Sequence, residues 1–309
     1  MRFATARHDG TRLSGVVDGE TFHPLPAPLL ELLRSQRLPE AGARALDEPG
    51  VPLAEVELRA PLEPATVRDF VAFEEHVEGM TGGAIAPEWY AAPTFYFTNP
   101  HAITGPFDDV AIPPGCRRMD FELEVAAVIG RPGRDLAPEQ AREHILGYTI
   151  FNDWSARDLQ SAEMKVGLGP AKGKDFATTL GPVLVTADEL DAHRDADGFL
   201  RLPMSVAVNG ERIGHDLLSN MGWPFEELVS YASRGTEVRP GDVLGSGTCG
   251  NGGCLGELWG RPDREDPPSL QPGDVVEMTV EGIGTIRNRV TAGHDLPPVR
   301  PARKRPRDR

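Results

Sequence analysis

Positive charge is scarce in this chain. Lysine and arginine number 32 against 47 aspartates and glutamates, a formal net charge of −15. That balance excludes a nucleic-acid partner, because nothing is available to neutralise phosphates. Cysteine is scarcer still: Cys116, Cys249 and Cys254 are the full complement. An odd, low count argues against a disulfide framework and for a reducing, cytoplasmic setting. Cys249 and Cys254 share the stretch GTCGNGGC, but without a second pair they do not read as a zinc site. No run approaches the roughly 18 apolar residues of a membrane helix. The N-terminus, MRFATARHDGTRL, lacks the apolar core of a signal peptide. Aromatics make up only 6%, whereas glycine (34) and proline (29) are plentiful. This composition predicts many strands and turns rather than a helical bundle.

The chain divides by character. Residues 1–62 read as a small module, with short strands in RFATA and SGVVDG, a helix in LLELLRSQRL, and the proline-bearing VELRAPLEP at its close. Residues 63–292 form a long body. Strands are predicted in PTFYFTNP, DFELEVAAVIG, LGYTIFND, GPVLVTADEL, MSVAVNGERI, DVLGSGTC, DVVEMTVEGIG and TIRNRVTAG. APEQAREHIL and PFEELVSYAS are predicted helices with proline near their starts. Residues 293–309 make a basic, proline-rich tail without apolar periodicity, expected to be disordered. The fold class is therefore mixed α/β and strand-rich, a rolled mixed sheet with a small N-terminal β domain.

Chemistry concentrates in four segments. In MDFELEV, Glu122 and Glu124 stand at i and i+2, so on a strand both carboxylates point one way. Asp120 would share that face, while Phe121, Leu123 and Val125 turn to a core. Adjacent like charges destabilise a sheet unless something neutralises them, and a hard divalent cation does so. A solvated strand face is the competing reading. Asp153 in FNDWSARDLQ follows an apolar run and so ends a strand, although an N-cap role would also suit it. GLGPAKGKDFATTLGP surrounds Lys172 and Lys174 with glycines that permit close backbone approach to a ligand. It is not a phosphate loop, because Asp175 follows Lys174 where serine or threonine is required. RDFVAFEEHVEGM reads as an amphipathic segment with Phe70, Phe73 and Val77 on one side. Asp69 and His76, seven apart, would then share a face, and a histidine with a carboxylate partner suits a general base.

Taken together, RDFVAFEEHV, PTFYFTNP, DFELEVAAVIG, FNDWSARDLQ, GLGPAKGKDFATTLGP, GDVLGSGTCGNGGCLGELW and LQPGDVVEMTVEGIG resemble the fumarylacetoacetate hydrolase family. E-x-E alone is weak; followed by NDWSARD and then GPxxGKxF it is specific. The resemblance implies that family's rolled mixed β-sheet or β-barrel body. It implies a metal site of Glu122, Glu124 and Asp153, with Asp69 as a fourth ligand. It implies His76 as catalytic base, Glu257 in the leucine-flanked strand LGELW as its partner, and Lys174 near substrate and metal. Tyr96, Gln160 and Thr248 match substrate-pocket positions. A pocket tyrosine of the family is Met164 here. A lid glutamate of its smaller members is Gly79, with Glu78 one residue earlier as a rival partner for His76. A homodimer is implied as well.

The expected cofactor is Mg²⁺, alternatively Mn²⁺ or Ca²⁺. The expected reaction is hydrolysis of a C–C bond in an acylpyruvate or fumarylacetoacetate-like 1,3-diketo acid, with the cation polarising the carbonyl and His76 activating water. Decarboxylation, isomerisation or hydration of a 2-oxo acid would use the same enolate, and a non-catalytic metal-binding scaffold is the alternative without turnover.

Overall fold

A computed structural model describes residues 1–261 and 267–307. Among these, one sheet joins twelve strands. Its centre runs Thr178–Thr186, Ile145–Asp153, Leu123–Ile129, Val243–Gly245, Val67–Phe70 and Phe95–Thr98. Neighbours are antiparallel except Val243–Gly245 and Val67–Phe70, which run parallel. A second sheet of five strands is built from Glu211–Leu217, Pro203–Val208, Val275–Val280, Gly284–Thr291 and Val110–Ala111. The sheets roll around a shared core, and no closed barrel forms among the described residues. Residues 292–307 are exposed and form no helix or strand. The last two residues of the predicted tail lie outside the described residues.

The strand Leu123–Ile129 explains the layering. All seven of its residues are buried, as expected for an apolar run covered on both faces. Alternation then deals them to two cores. Val125, Ala127 and Ile129 join the large core that the five-stranded sheet completes. Ala126 and Val128 face a smaller core with Leu29, Leu32, Leu33 and Leu38, which come from the helices Leu29–Arg34 and Leu38–Leu46.

The N-terminal segment also supplies strands to the twelve-stranded sheet. Arg2–His8 pairs with the central strand Thr178–Thr186 through Arg2 opposite Val185 and Phe3 opposite Leu184. Thr11–Asp18, Thr21–Pro24 and Val51–Pro52 extend it outward. Its helices thereby cap one face of the same sheet that carries the E-x-E strand.

Two local expectations fail. The segment 68–80 is not one amphipathic helix: Val67–Phe70 is a strand, and only Glu74–Thr81 is helical. Pairing with Val243–Gly245 decides the conformation of the first part over its local pattern. The leucine-flanked LGELW is a short helix, Leu255–Trp259, rather than a strand. Asp120 accepts from Leu255 N at 2.9 Å and Gly256 N at 2.8 Å, and Cys254 Sγ accepts from Glu257 N at 3.3 Å. These acceptors satisfy its otherwise unpaired first N–H groups.

Phe3 is 1% exposed in the core under the N-terminal helices. Phe3→Ala is expected to cost about 3–5 kcal/mol, read as a lower urea midpoint. An unchanged midpoint would contradict the packing described.

Candidate active site

Four carboxylates meet on one face of the twelve-stranded sheet, at the edge of the smaller core. Phe151, Ala126, Val243 and Val67 lie in that core, on four neighbouring strands. Two residues along each strand the same face is presented again. Those positions are Asp153, Glu124, Gly245 and Asp69, with Glu122 one further step beyond Glu124. The backbone amide of Glu122 donates to Asn152 Oδ1 at 3.0 Å, which fixes this residue just before its strand begins.

Gly245 lies between Glu124 and Asp69 in this row. A Cβ there would stand 2.5 Å from Asp69 Oδ1 and 3.0 Å from Glu124 Oε2. The missing side chain is what lets the two carboxylates approach. Oxygens of Asp69, Glu122 and Glu124 all lie within 4.8 Å of one another. Asp153 joins through Lys174, whose Nζ lies 2.6 Å from Glu122 Oε2 and 2.7 Å from Asp153 Oδ2. The sequence grouped Glu122 and Glu124 with Asp153 first; in space Asp69 is the closer third member. Asp120 does not share the cluster, since its carboxylate caps the helix Leu255–Trp259 and pairs with Arg157 at 2.8 Å.

All four carboxylates are buried. Burial, then Asp153, raises Asp69 well above the usual carboxylate range. Burial and Asp69 do the same to Glu124. Burial, opposed by Lys174 and reinforced by Glu122, pushes Asp153 up to about 6. Glu122 goes the other way: burial is outweighed by Lys174 and Arg157, which hold it below that range. Lys174 in turn is held charged against its burial by Asp153 and Glu122. The cluster is thus short of positive charge. Against four carboxylates stand one ammonium and the Arg157 guanidinium, whose Nη2 lies 2.7 Å from Glu122 Oε1 and which also serves Asp120. Asp69 Oδ1 and Asp153 Oδ1 are buried without a hydrogen-bond partner. An all-oxygen donor set with unused lone pairs and excess negative charge fits a hard divalent ion.

The helix Glu74–Thr81 brings His76 beside this cluster. His76 Nδ1 lies 3.8 Å from Glu257 Oε2, and both residues are buried. Glu78, the rival partner, is exposed. Gly79 explains the outcome: a Cβ there would be 2.3 Å from Glu257 Cγ. The space left at position 79 is filled by the Glu257 side chain. Gly252 N donates to Glu257 Oε1 at 3.3 Å, and Arg261 pairs with the same oxygen.

Of the remaining predicted residues, Tyr96 and Thr248 reach the carboxylates, whereas Gln160 meets Arg157. Tyr96 donates its hydroxyl to Asp153 Oδ2. Thr248 Oγ1 lies 3.4 Å from Glu124 Oε1, and Gly247 N donates to Glu124 Oε2 at 3.0 Å. Gln160 stands on the helix Arg157–Met164 and accepts from Arg157 Nη1 at 3.1 Å. Met164 ends that helix half exposed.

Sequence reasoning missed Asn152, Arg157 and Glu163. Glu163 holds the lysine loop: its carboxylate accepts from Ala171 N at 2.7 Å, Lys172 N at 2.9 Å and Gly173 N at 2.8 Å. Three such bonds set the backbone that delivers Lys174. Its only sequence signal was a carboxylate a few residues before a glycine-rich run. Arg157 and Asn152 lay within the quoted FNDWSARD motif, but nothing local showed what they bond.

A pH dependence follows. An acid whose pKa is raised by folding binds its proton more tightly when folded, so it stabilises at low pH and that contribution is lost as pH rises. For Asp153 the loss runs from its ordinary 3.8 up to about 6, and the raised Asp69 and Glu124 add losses of the same sign. Glu122 has the opposite sign, but its change falls below its ordinary 4.5. The melting temperature of metal-stripped protein is therefore expected to fall as pH rises from about 4.5 to about 6. Added Mg²⁺ or Mn²⁺ is expected to raise it most at the upper end. A pH-independent melting temperature that ignores both ions would contradict this electrostatic picture.

Residues 65–291 match the fumarylacetoacetate (FAA) hydrolase C-terminal family. The Rattus norvegicus protein oxaloacetate tautomerase Fahd2a, mitochondrial, is 31% identical over 283 residues, spanning 89% of this chain and 84% of its own length. The fumarylacetoacetate hydrolase of psychrophilic Exiguobacterium antarcticum superposes with a TM-score of 0.77 at 28% identity, covering 95% of this chain and 100% of that one. The 2-hydroxyhepta-2,4-diene-1,7-dioate isomerase of Mycobacterium marinum gives a TM-score of 0.71 at 26% identity, over 94% and 98% of the two chains. With most of its length matched, the chain belongs to the fumarylacetoacetate hydrolase family, whose named relatives include tautomerases, isomerases and hydrolases.

Proposed function

We propose that the protein is a metal-dependent enzyme that moves a proton next to the carbonyl of a small 2-oxo acid, with keto–enol interconversion of an oxaloacetate-like acid as its reaction. The observation that carries this is the buried carboxylate set beside a histidine–glutamate pair. A divalent ion held by Asp69, Glu122, Glu124 and Asp153 would polarise the 2-oxo acid carbonyl and favour its enolate. Mg²⁺ is the proposed ion, with Mn²⁺ and Ca²⁺ as alternatives.

The chain's own groups divide the remaining work. Glu257 faces His76 Nδ1, which leaves Nε2 to accept the proton and return it. Lys174 keeps Glu122 and Asp153 ionised and opposes charge that develops on the substrate. Tyr96 holds one oxygen of Asp153, leaving the other free. By the resemblance, Thr248 would meet the acid end of the substrate and Gln160 would line its pocket. The likeness to a tautomerase over most of both chains supports proton transfer as the first reading.

The second reading is hydrolysis of a C–C bond in an acylpyruvate or fumarylacetoacetate-like acid. The same His76–Glu257 pair favours it, because a carboxylate-oriented imidazole is equally suited to deprotonating water. The resemblance further supports a homodimer, and the low, odd cysteine count supports a reducing, cytoplasmic setting.

Oxaloacetate, fumarylpyruvate and simple acylpyruvates should be offered with Mg²⁺ or Mn²⁺, following enol absorbance and the acids formed. Faster enol decay without a new acid supports tautomerisation; stoichiometric release of two acids moves the assignment to hydrolysis. Inertness towards all of them would end both readings. His76→Asn is expected to lower turnover about 10²–10⁴-fold while the metal-induced rise in melting temperature survives. Wild-type rates in that variant would remove the base from His76. Gly79→Ala forces Glu257 to move and is expected to lower kcat with little change in metal binding. A fully active Gly79→Ala would show that Glu257 is dispensable.

A further inference from the structure

We infer that His76, Cys254 and Glu122 form a second metal site, for a borderline-soft ion of the zinc class, whose occupation shuts the enzyme down. The inhibitory part rests on the proposed role of His76; the binding part does not.

Cys254 is not a thiol in an oily core. Its Sγ lies 4.0 Å from His76 Nδ1, and the charges of Arg157, Asp120 and Glu122 act on it. Ligand atoms of His76, Glu122 and Cys254 lie within 4.8 Å of one another, and all three residues are buried. Bond lengths of about 2.3 Å to sulfur and about 2.0 Å to nitrogen place tetrahedral ligands roughly 3.6 Å apart. The observed spacing therefore needs only side-chain adjustment. Glu257 Oε2, fully buried and without a hydrogen-bond partner, lies 3.8 Å from the same imidazole nitrogen and offers a further oxygen.

Donor chemistry separates this site from its neighbour. Asp69, Glu122 and Glu124 give oxygen alone and suit Mg²⁺ or Mn²⁺. Thiolate plus imidazole plus carboxylate suits Zn²⁺ or Co²⁺ instead. Binding replaces the Cys254 Sγ–H proton by the metal, and that proton leaves to solvent with no change of oxidation state. Two consequences follow. His76 Nδ1 is turned from Glu257 to the metal, which removes its orientation as a base. Glu122, common to both sets, is drawn from the oxygen site.

The test uses the full-length protein with saturating Mg²⁺. Co²⁺ is expected to produce a thiolate-to-cobalt charge-transfer band in the near ultraviolet, and Zn²⁺ to abolish turnover. Cys254→Ser keeps a helix-capping oxygen at its position, so folding and Mg²⁺-supported turnover are expected to stay within about twofold. The band should vanish in that variant, and the zinc concentration for half-inhibition should rise at least about tenfold, consistent with loss of a soft ligand. Cys116→Ser, whose thiol meets Asp158 and belongs to neither ligand set, should keep both. A band that persists in Cys254→Ser, or no thiolate band in the wild type, overturns the site. A band that depends on Cys254 in a protein that turns over none of the proposed substrates supports the site and counts against the function instead.

Discussion

Mutual repulsion among Asp69, Glu122, Glu124 and Asp153 is the constraint around which this site is built. Four buried carboxylates on one sheet face cost far more than a surface cluster, because little water screens them. The surroundings answer that cost in two ways. Lys174 and Arg157 neutralise the Glu122 side. On the other side, Asp69 and Glu124 are left raised and close together, across the gap that Gly245 provides. The imbalance is directional. It leaves an oxygen-lined place for a cation, with the fixed positive charges displaced to one flank.

The fold supplies this geometry through register. Strand pairing places Asp153, Glu124, Gly245 and Asp69 in line, each two residues beyond an apolar residue of the smaller core, with Glu122 one step past Glu124. The N-terminal helices cover those apolar residues but stop short of the acidic row. The N-terminal segment therefore contributes to the site indirectly, by keeping water from the sheet face beneath it. The proposed catalytic pair is added from outside the sheet. One helix brings His76, a second brings Glu257, and Gly79 lets them pack closely enough to meet.

Much of the site was legible in the sequence because its chemistry is carried by short motifs. Glu122, Glu124 and Lys174 stand in patterns that together suit a cation, although E-x-E alone also reads as a solvated strand face. The choice between Glu257 and Glu78 was not legible. It depends on the gap at Gly79 meeting a residue far along the chain, and neither position shows this locally. Arg157, Asn152 and Glu163 were missed for the same reason: their partners lie across strands or loops. The strand-rich body followed from apolar runs and turn residues. Two boundaries did not follow, since long-range pairing made 67–70 a strand and two acceptors from elsewhere made LGELW a helix. Nor did local pattern show that Arg2–His8 joins the central sheet.

The account stands or falls on whether the carboxylate row holds a divalent ion that takes up a 2-oxo acid. Electron paramagnetic resonance of Mn²⁺ titrated into metal-stripped protein tests this without requiring turnover. Tight binding of a single Mn²⁺ per chain, lost in Glu124→Gln and retained in His76→Asn, with a spectrum that changes when oxaloacetate is added, is the predicted result. Free Mn²⁺ signal at every ratio, or a bound signal indifferent to Glu124→Gln, would contradict it.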